Sequence, residues 1–302
     1  MSDGSKKLPV AVVIINRDRP DLTDAIYEQI LPMGKGTVEK EIFVIEAGSN
    51  RKTGCSKYMT HWFRDPSYRG RYFAFNRGLN EVYKREEQNG YKFRYIWFLV
   101  NDIYFPDGED TLAELVEVME KTPKLAQLAP GEPGVDDYHG CEPKPGRRWH
   151  KNSTLHGLAI LMSRKAIGEV GYCNPDFHYS QGAGSELAYL LHKAGWWLGY
   201  SDVVTLQHHG GSTYGKVTKI SRHEYQRRAR KFASTYLAKH YGDNWDELFA
   251  SVMPDDVEAN NYPWQKAVWN KQLPRGKRFP WFWKAGSKVK QALLKVIGKS
   301  RP

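Results

Sequence analysis

This sequence is poor in cysteine, with Cys55, Cys141 and Cys173 the only three in 302 residues and no Cys-x-x-Cys pair. An odd, sparse set argues against a disulfide framework and for a reducing compartment. No cysteine–histidine spacing supports zinc bound by the histidines. No apolar run approaches the ~20 residues of a membrane-spanning helix. No apolar segment of signal-peptide length follows the first residues, so the expected location is cytoplasmic. Internal repeats and long low-complexity tracts are absent too. Acidic residues are missing from position 259 onward, where 11 Lys and Arg remain. Residues 222–302 carry 17 Lys and Arg against 7 Asp and Glu, which is +10 of the chain's +11. Residues 1–221 are therefore nearly neutral. A basic arm on a neutral body seeks phosphate, in anionic lipid, nucleic acid or a polyanionic glycan.

What is present is enough apolar residue for a sizeable core, 40% of the chain, and 13% aromatics that suit a site stacking a base or a sugar. The chain is organised around residues 95–105. Tyr95 to Val100 is an apolar run that reads as a strand buried on both faces at the centre of a parallel sheet. It ends in Asn101-Asp102, at the carboxyl edge where open α/β sheets bind ligands. A turn then leads to a helix with Leu112, Leu115, Val116 and Met119 on one face, opened by Thr111 and Glu114 as a capping box. Residues 10–15 are a second buried strand, ending in Asn16, Arg17, Asp18, Arg19 and Pro20. Leu22, Ile26 and Ile30 mark a helix stopped by Pro32 and Gly34. Residues 41–45 are a third strand, ending in Glu46. This βαβ start implies a parallel sheet with a right-handed crossover. Further strands are expected at 125–128, 156–162 and 202–206, and helices from residue 73 and over 186–194, the last stopped by Gly195. Residues 130–150 hold four Pro and four Gly, a long loop of the kind that covers a site.

Three polar features carry candidate chemistry. Asp102 reads either as a loop or helix-cap carboxylate or as a metal ligand beneath a phosphate-bearing molecule. Glu186 reads either as a helix-start acid favoured by the dipole or as a reacting carboxylate. His208 follows a strand and precedes Gly210, Gly211 and Ser212, which suits a metal ligand or phosphate contact that converges with Asp102 at one sheet edge. Gly182 and Gly184 are no dinucleotide fingerprint, since no buried strand precedes them and Leu stands at 187. They are expected to let the backbone approach a ligand.

In this order, over about residues 10–212, the motifs resemble the inverting GT-A nucleotide-sugar glycosyltransferases of the family 2 type. Residues 12–20 are similar to the family's first strand and nucleotide loop, and Glu41 to Asn50 to its second strand. Asn76-Arg77-Gly78-Leu79 is similar to its N-x-G-L helix start. Residues 98–102 look like the strand ending in its DxD motif, with Val100 where the first Asp stands. Glu186-Leu187 followed by Lys193-Ala194-Gly195 is similar to its acceptor-side helix, with Ala183-Gly184 in place of the Glu-Asp pair. His208 with Ser212 looks like its closing H-x-x-x-S.

The resemblance implies an α/β, GT-A-like fold: a mostly parallel Rossmann-type sheet flanked by helices. It implies a nucleotide-sugar donor, with a UDP-sugar expected, and Mn2+ or Mg2+ held by Asp102 and His208. Asn16, Asp18, Glu46, Asn76, Asn101 and Asp102 would bind the donor. Glu186 would be the general base, with Asp176 the second choice. Residues 1–220 form the transferase domain and 221–302 a basic, aromatic-rich helical extension, in which Ser221 and Glu224 cap a first helix. Residues 287–299 set Val289, Leu293, Val296 and Ile297 against Lys288, Lys290, Lys295 and Lys299, which fits either a membrane-peripheral helix or one packed on the domain. The acceptor, a glycan, a lipid-linked glycan or a nucleic acid, is expected under the 130–150 loop near Trp196 and Trp197. Three alternatives remain: a phage-type DNA-modifying glycosyltransferase, a nucleotidyltransferase, for which residues 16–20 lack the glycine-rich loop, and a catalytically inactive GT-A-fold binding module.

Overall fold

A computed structural model describes residues 7–66, 69–106, 108–134, 140–179, 181–209, 221–254 and 256–257. The chain runs β1 (Leu8–Asn16), α1 (Pro20–Ile30), β2 (Val38–Ala47), β3 (His61–Phe63), α2 (Arg71–Asn89), β4 (Tyr95–Val100), β5 (Ile103–Tyr104), α3 (Thr111–Lys121), β6 (Leu125–Gly131) and β7 (Trp149–Lys151). It continues through β8 (Ala159–Ser163), α4 (Arg164–Val170), α5 (Ala183–Lys193), β9 (Trp197–Thr205), β10 (Gln207–His208), α6 (Arg222–Tyr241) and α7 (Trp245–Ala250). Eight strands form one sheet in the order β3-β2-β1-β4-β8-β6-β9-β7, and β5 pairs with β10 in a separate ribbon.

The apolar runs decide the centre of this sheet. Every residue of β4 is buried, as are Val10 to Ile14 of β1 and Phe43 to Ile45 of β2. β1 lies parallel to both β2 and β4, so their polar carboxyl ends emerge at one edge. β6 and β9 are parallel to each other and share that direction. Two strands run the other way: β7 is antiparallel to β9 at the edge, and β8 is antiparallel to both β4 and β6, so β4 is parallel to its neighbour on one side only. A parallel neighbour needs a crossover of a dozen or more residues, usually a helix. No described helix intervenes between β6 and β8. The reversal brings the segment preceding β8, including His156, to the same edge as Asn16, Glu46 and Asp102.

Local details refine the sequence expectations. The cap of α3 is Asp110, whose Oδ1 accepts from the Ala113 N–H at 3.0 Å, and not Thr111. α2 starts at Arg71, so Asn76-Arg77-Gly78-Leu79 lies in its second and third turns instead of opening it. Gly78 is there because α2 presses on the sheet: a Cβ would run into Val13 and stand 3.1 Å from Ile45 Cγ1. Gly182, at φ +88°, packs against protein, since a Cβ would meet Ala233 and Phe177 at 2.7 Å. Ser221 caps α6 through the Glu224 N–H, as its sequence suggested.

The described residues belong to one compact unit. Helices α6 and α7 belong to it together with the sheet. Tyr225, Ala229, Ala233 and Leu237 repeat every four residues and are all buried, which gives α6 a face for the body of that unit. The amphipathic segment 287–299, Trp264, Trp269, Trp281 and Trp283, Gly210 to Ser212, and residues 135–139 of the long loop lie outside the described residues. No described helix is long and apolar enough to cross a membrane.

Candidate active site

The carboxyl ends of β1, β2 and β4 hold a connected polar framework. Asn16 Nδ2 donates to Glu46 Oε1 and Oε2 at 3.1 and 2.9 Å and to the Gly54 carbonyl at 2.9 Å. Glu46 also accepts from the Ser56 N–H at 2.8 Å. Asn101 Nδ2 donates to Asn16 Oδ1 at 3.0 Å and Thr23 Oγ1 at 2.9 Å. Asn16 is buried and Glu46 is 0% exposed, so both sit beneath the surface of this edge. Burial pushes the Glu46 carboxyl above its ordinary pKa against the hydrogen bonds that hold it ionised. Asp18 adopts φ +53° and its Oδ1 accepts from the Asn50 N–H at 2.6 Å, which fixes the loop after β2. Arg17, paired with Asp65 at 2.9 Å, ties the same loops together. Asn76 is tied elsewhere, donating to the Cys173 carbonyl at 2.8 Å.

Asp102 and His208 do meet. The β5–β10 ribbon pairs His208 with Ile103, and the His209 N–H donates to the Asp102 carbonyl at 2.9 Å. This sets His208 Nε2 3.5 Å from Asp102 Oδ1, with the side chains 28% and 16% exposed. An imidazole nitrogen beside a carboxylate oxygen, both open to solvent, fits a divalent ion that fills its other positions from ligand and water. Arg19 brings positive charge nearby; its hydrogen bonds to Asp21 raise its pKa most, with Asp102 contributing to the same effect.

Glu186 lies in the first turn of α5, as expected, but is covered. It is 4% exposed and accepts from the Tyr241 hydroxyl of α6 at 2.8 Å. Burial raises its pKa, and the neighbouring Asp176 adds to the rise. Asp176 itself is exposed, in a turn where its N–H donates to Asn174 Oδ1 at 2.9 Å. Gly157 and Gly184 leave room for the Tyr72 hydroxyl, where a Cβ would stand 2.7 and 2.6 Å away, and Arg71 Nη2 donates to the His156 carbonyl at 2.5 Å.

Trp196 and Trp197 are not at this edge. Trp197 begins β9, paired with Leu125 at the start of β6, and the nine-residue strand carries the chain roughly 26 Å before it reaches Thr205. Three residues not singled out from the sequence are at the functional edge: Glu132, Cys141 and His156. Glu132 follows β6, and His156 Nδ1 lies 3.1 Å from Glu132 Oε2. Burial lowers the His156 pKa against the pull of that carboxylate. The strand-end rule that flagged Asp102 also applies to Glu132, once β6 is known to continue to Gly131.

No protein-family description matches the chain, and no curated protein matches its sequence. Solved structures do. A mannosyltransferase from Pyrobaculum calidifontis, in complex with GDP-Man and Mn2+, aligns with a TM-score of 0.54 at 17% identity, over 82% of this chain and 74% of that one. GalNAc-T7 with UDP, GalNAc and Mn2+ aligns at 0.47 and 15% identity, over 68% and 44%. The chain therefore has the GT-A fold, a mostly parallel Rossmann-type sheet flanked by helices.

Proposed function

We propose that this protein is a metal-assisted glycosyltransferase that moves a sugar, with inversion, from a nucleotide-sugar donor to an acceptor hydroxyl. The observation that carries it is the 3.5 Å approach of His208 to Asp102 at the carboxyl edge of a GT-A sheet. Asp102 and His208 would hold Mn2+ or Mg2+, the imidazole favouring Mn2+. When bound, the ion supplies Lewis-acid stabilisation of the leaving diphosphate. The framework of Asn16, Asp18, Glu46 and Asn101 holds the loops that would receive the nucleotide, for which a UDP-sugar is the preferred reading. The bond from the anomeric carbon to the phosphate oxygen breaks, a bond to the acceptor oxygen forms, and the acceptor proton passes to a carboxylate.

Glu186 is the proposed base. Burial raises its pKa, the direction that makes a carboxylate a stronger base. An acceptor hydroxyl that displaces the Tyr241 hydroxyl from Glu186 Oε1 would be placed for that transfer. A panel of UDP- and GDP-sugars with Mn2+, followed by release of nucleoside diphosphate and by NMR of the product anomer, tests the reading. No turnover with any donor in the presence of glycan, lipid-linked glycan or DNA acceptors would favour a binding module instead.

A further inference from the structure

We propose that Glu132, Cys141 and His156 hold a zinc ion, with a donor set distinct from Asp102 and His208. A carboxylate oxygen, the Cys141 sulfur and an imidazole nitrogen all lie within 4.8 Å of one another. Zinc bonds of ~2.0–2.2 Å to oxygen and nitrogen and ~2.3 Å to sulfur set the ligand atoms of a tetrahedron roughly 3.3–3.7 Å apart. The 3.1 Å between His156 Nδ1 and Glu132 Oε2 is already close to such an edge. Metal entry asks for side-chain shifts on the order of an ångström, with three protein ligands leaving one position open.

The backbone around the three is fixed in advance. The Glu132 N–H donates to the Cys141 carbonyl at 2.8 Å, which sets those two residues opposite each other. The adjoining Gly140 carbonyl accepts from His150 Nε2 at 2.7 Å and Asn152 Nδ2 at 3.0 Å. The His156 N–H donates to the Tyr200 hydroxyl oxygen at 2.9 Å, and Arg71 holds the His156 carbonyl. Cys141 forms no disulfide and is fully buried, and Glu132 is buried beside it.

Charge and donor type agree. A dication with one thiolate and one carboxylate is neutral, which is compatible with burial. The thiol proton leaves to solvent as the metal binds. Sulfur in the set disfavours Mg2+ and Mn2+, which prefer oxygen, and favours zinc. Such an ion would clamp the two ends of residues 132–141 together and anchor His156 at the edge that carries His208.

The full-length chain, dialysed after purification, is expected to carry about one zinc per chain by elemental analysis. After stripping, Co2+ should restore a sulfur-to-cobalt charge-transfer band in the near ultraviolet. Cys141→Ser should abolish that band, Glu132→Gln should weaken cobalt affinity at least tenfold, and Asp102→Ala should leave the band in place. Absence of the band in the wild type, or its survival in Cys141→Ser, would overturn the proposal. If Cys141→Ser does not fold, Glu132→Gln decides: cobalt affinity read from the band and weakened at least tenfold supports the site, and unchanged affinity overturns it.

Discussion

The two flanks of β4 use polar strand ends differently. On the β1–β2 side, Asn16, Glu46, Asn101 and Thr23 are one another's partners, and Arg17 with Asp65 closes the rim. On the β8–β6–β9 side, Asp102 and His208 reach solvent, Glu132, Cys141 and His156 bring three donor types together, and Glu186 is shifted by burial. The sequence rule is the same for both flanks: polar residues at the carboxyl end of a buried strand. What sets Asp102 and His208 apart from that framework is exposure, their side chains staying 16% and 28% open where Asn16 and Glu46 are buried.

The sharpest way to break this comparison is Asp102→Ala. If the β8 flank does the chemistry, turnover should fall by ~10²–10⁴, since metal stabilisation of the leaving group is worth several kcal/mol and each 1.36 kcal/mol is tenfold. The melting temperature should barely move, because surface substitutions usually stay within about 0.5 kcal/mol. Full activity in excess EDTA would remove the metal from the mechanism.

Glu186→Gln is expected to cost ~10²–10⁴ in turnover while donor binding persists, the usual scale of general-base loss. Wild-type activity should fall as pH drops through the raised Glu186 pKa, because the base must be ionised. Stability runs the other way. A carboxyl raised in the folded state contributes stability that is fully present below its unfolded-state pKa and lost as pH rises through the folded value. Glutamine keeps an uncharged oxygen for Tyr241, so the variant should match or exceed wild-type stability at neutral pH and lose that advantage in acid. Unchanged turnover, or Asp176→Asn alone abolishing it, would move the base elsewhere.

On the scaffold flank the expected effect is on folding. Asn16→Ala removes donors from a buried carboxylate and should cost about 1–3 kcal/mol in urea unfolding, with turnover per folded molecule changed much less. A large kinetic loss with unchanged stability would show that Asn16 acts on the ligand directly.

How much of this was legible follows from the physics of each element. β1, β2 and β4 are long apolar runs and announce themselves. β3, β5, β7 and β10 have two or three residues, too few to show a period. β9 begins at Trp197, five residues before the Val-rich stretch that marks it, which puts Trp197 at the edge opposite Asp102 and away from the expected acceptor position. Asp102 and His208 could be paired from sequence because both follow strands. Glu132, Cys141 and His156 could not: a backbone hydrogen bond sets the first two opposite each other, and the reversal of β8 brings His156 to them.

The smallest expected effect on turnover concerns the basic segment, which sets the neutral body against residues 259–302. A purely electrostatic arm has no use for Val289, Leu293, Val296 and Ile297 among its lysines. An arm resting in a lipid headgroup layer does, because apolar burial and attraction to anionic lipid act together. DNA would engage the same Lys and Arg with little contribution from Leu293 or Val296. Deleting residues 280–302 should leave transfer to a short soluble acceptor intact and weaken sedimentation with anionic liposomes. Leu293→Glu with Val296→Glu should weaken it as well, although most of the positive charge stays. Liposome binding unaffected by those two changes, or tight duplex DNA binding that stimulates turnover, would turn the segment from a membrane contact into one for a nucleic-acid acceptor.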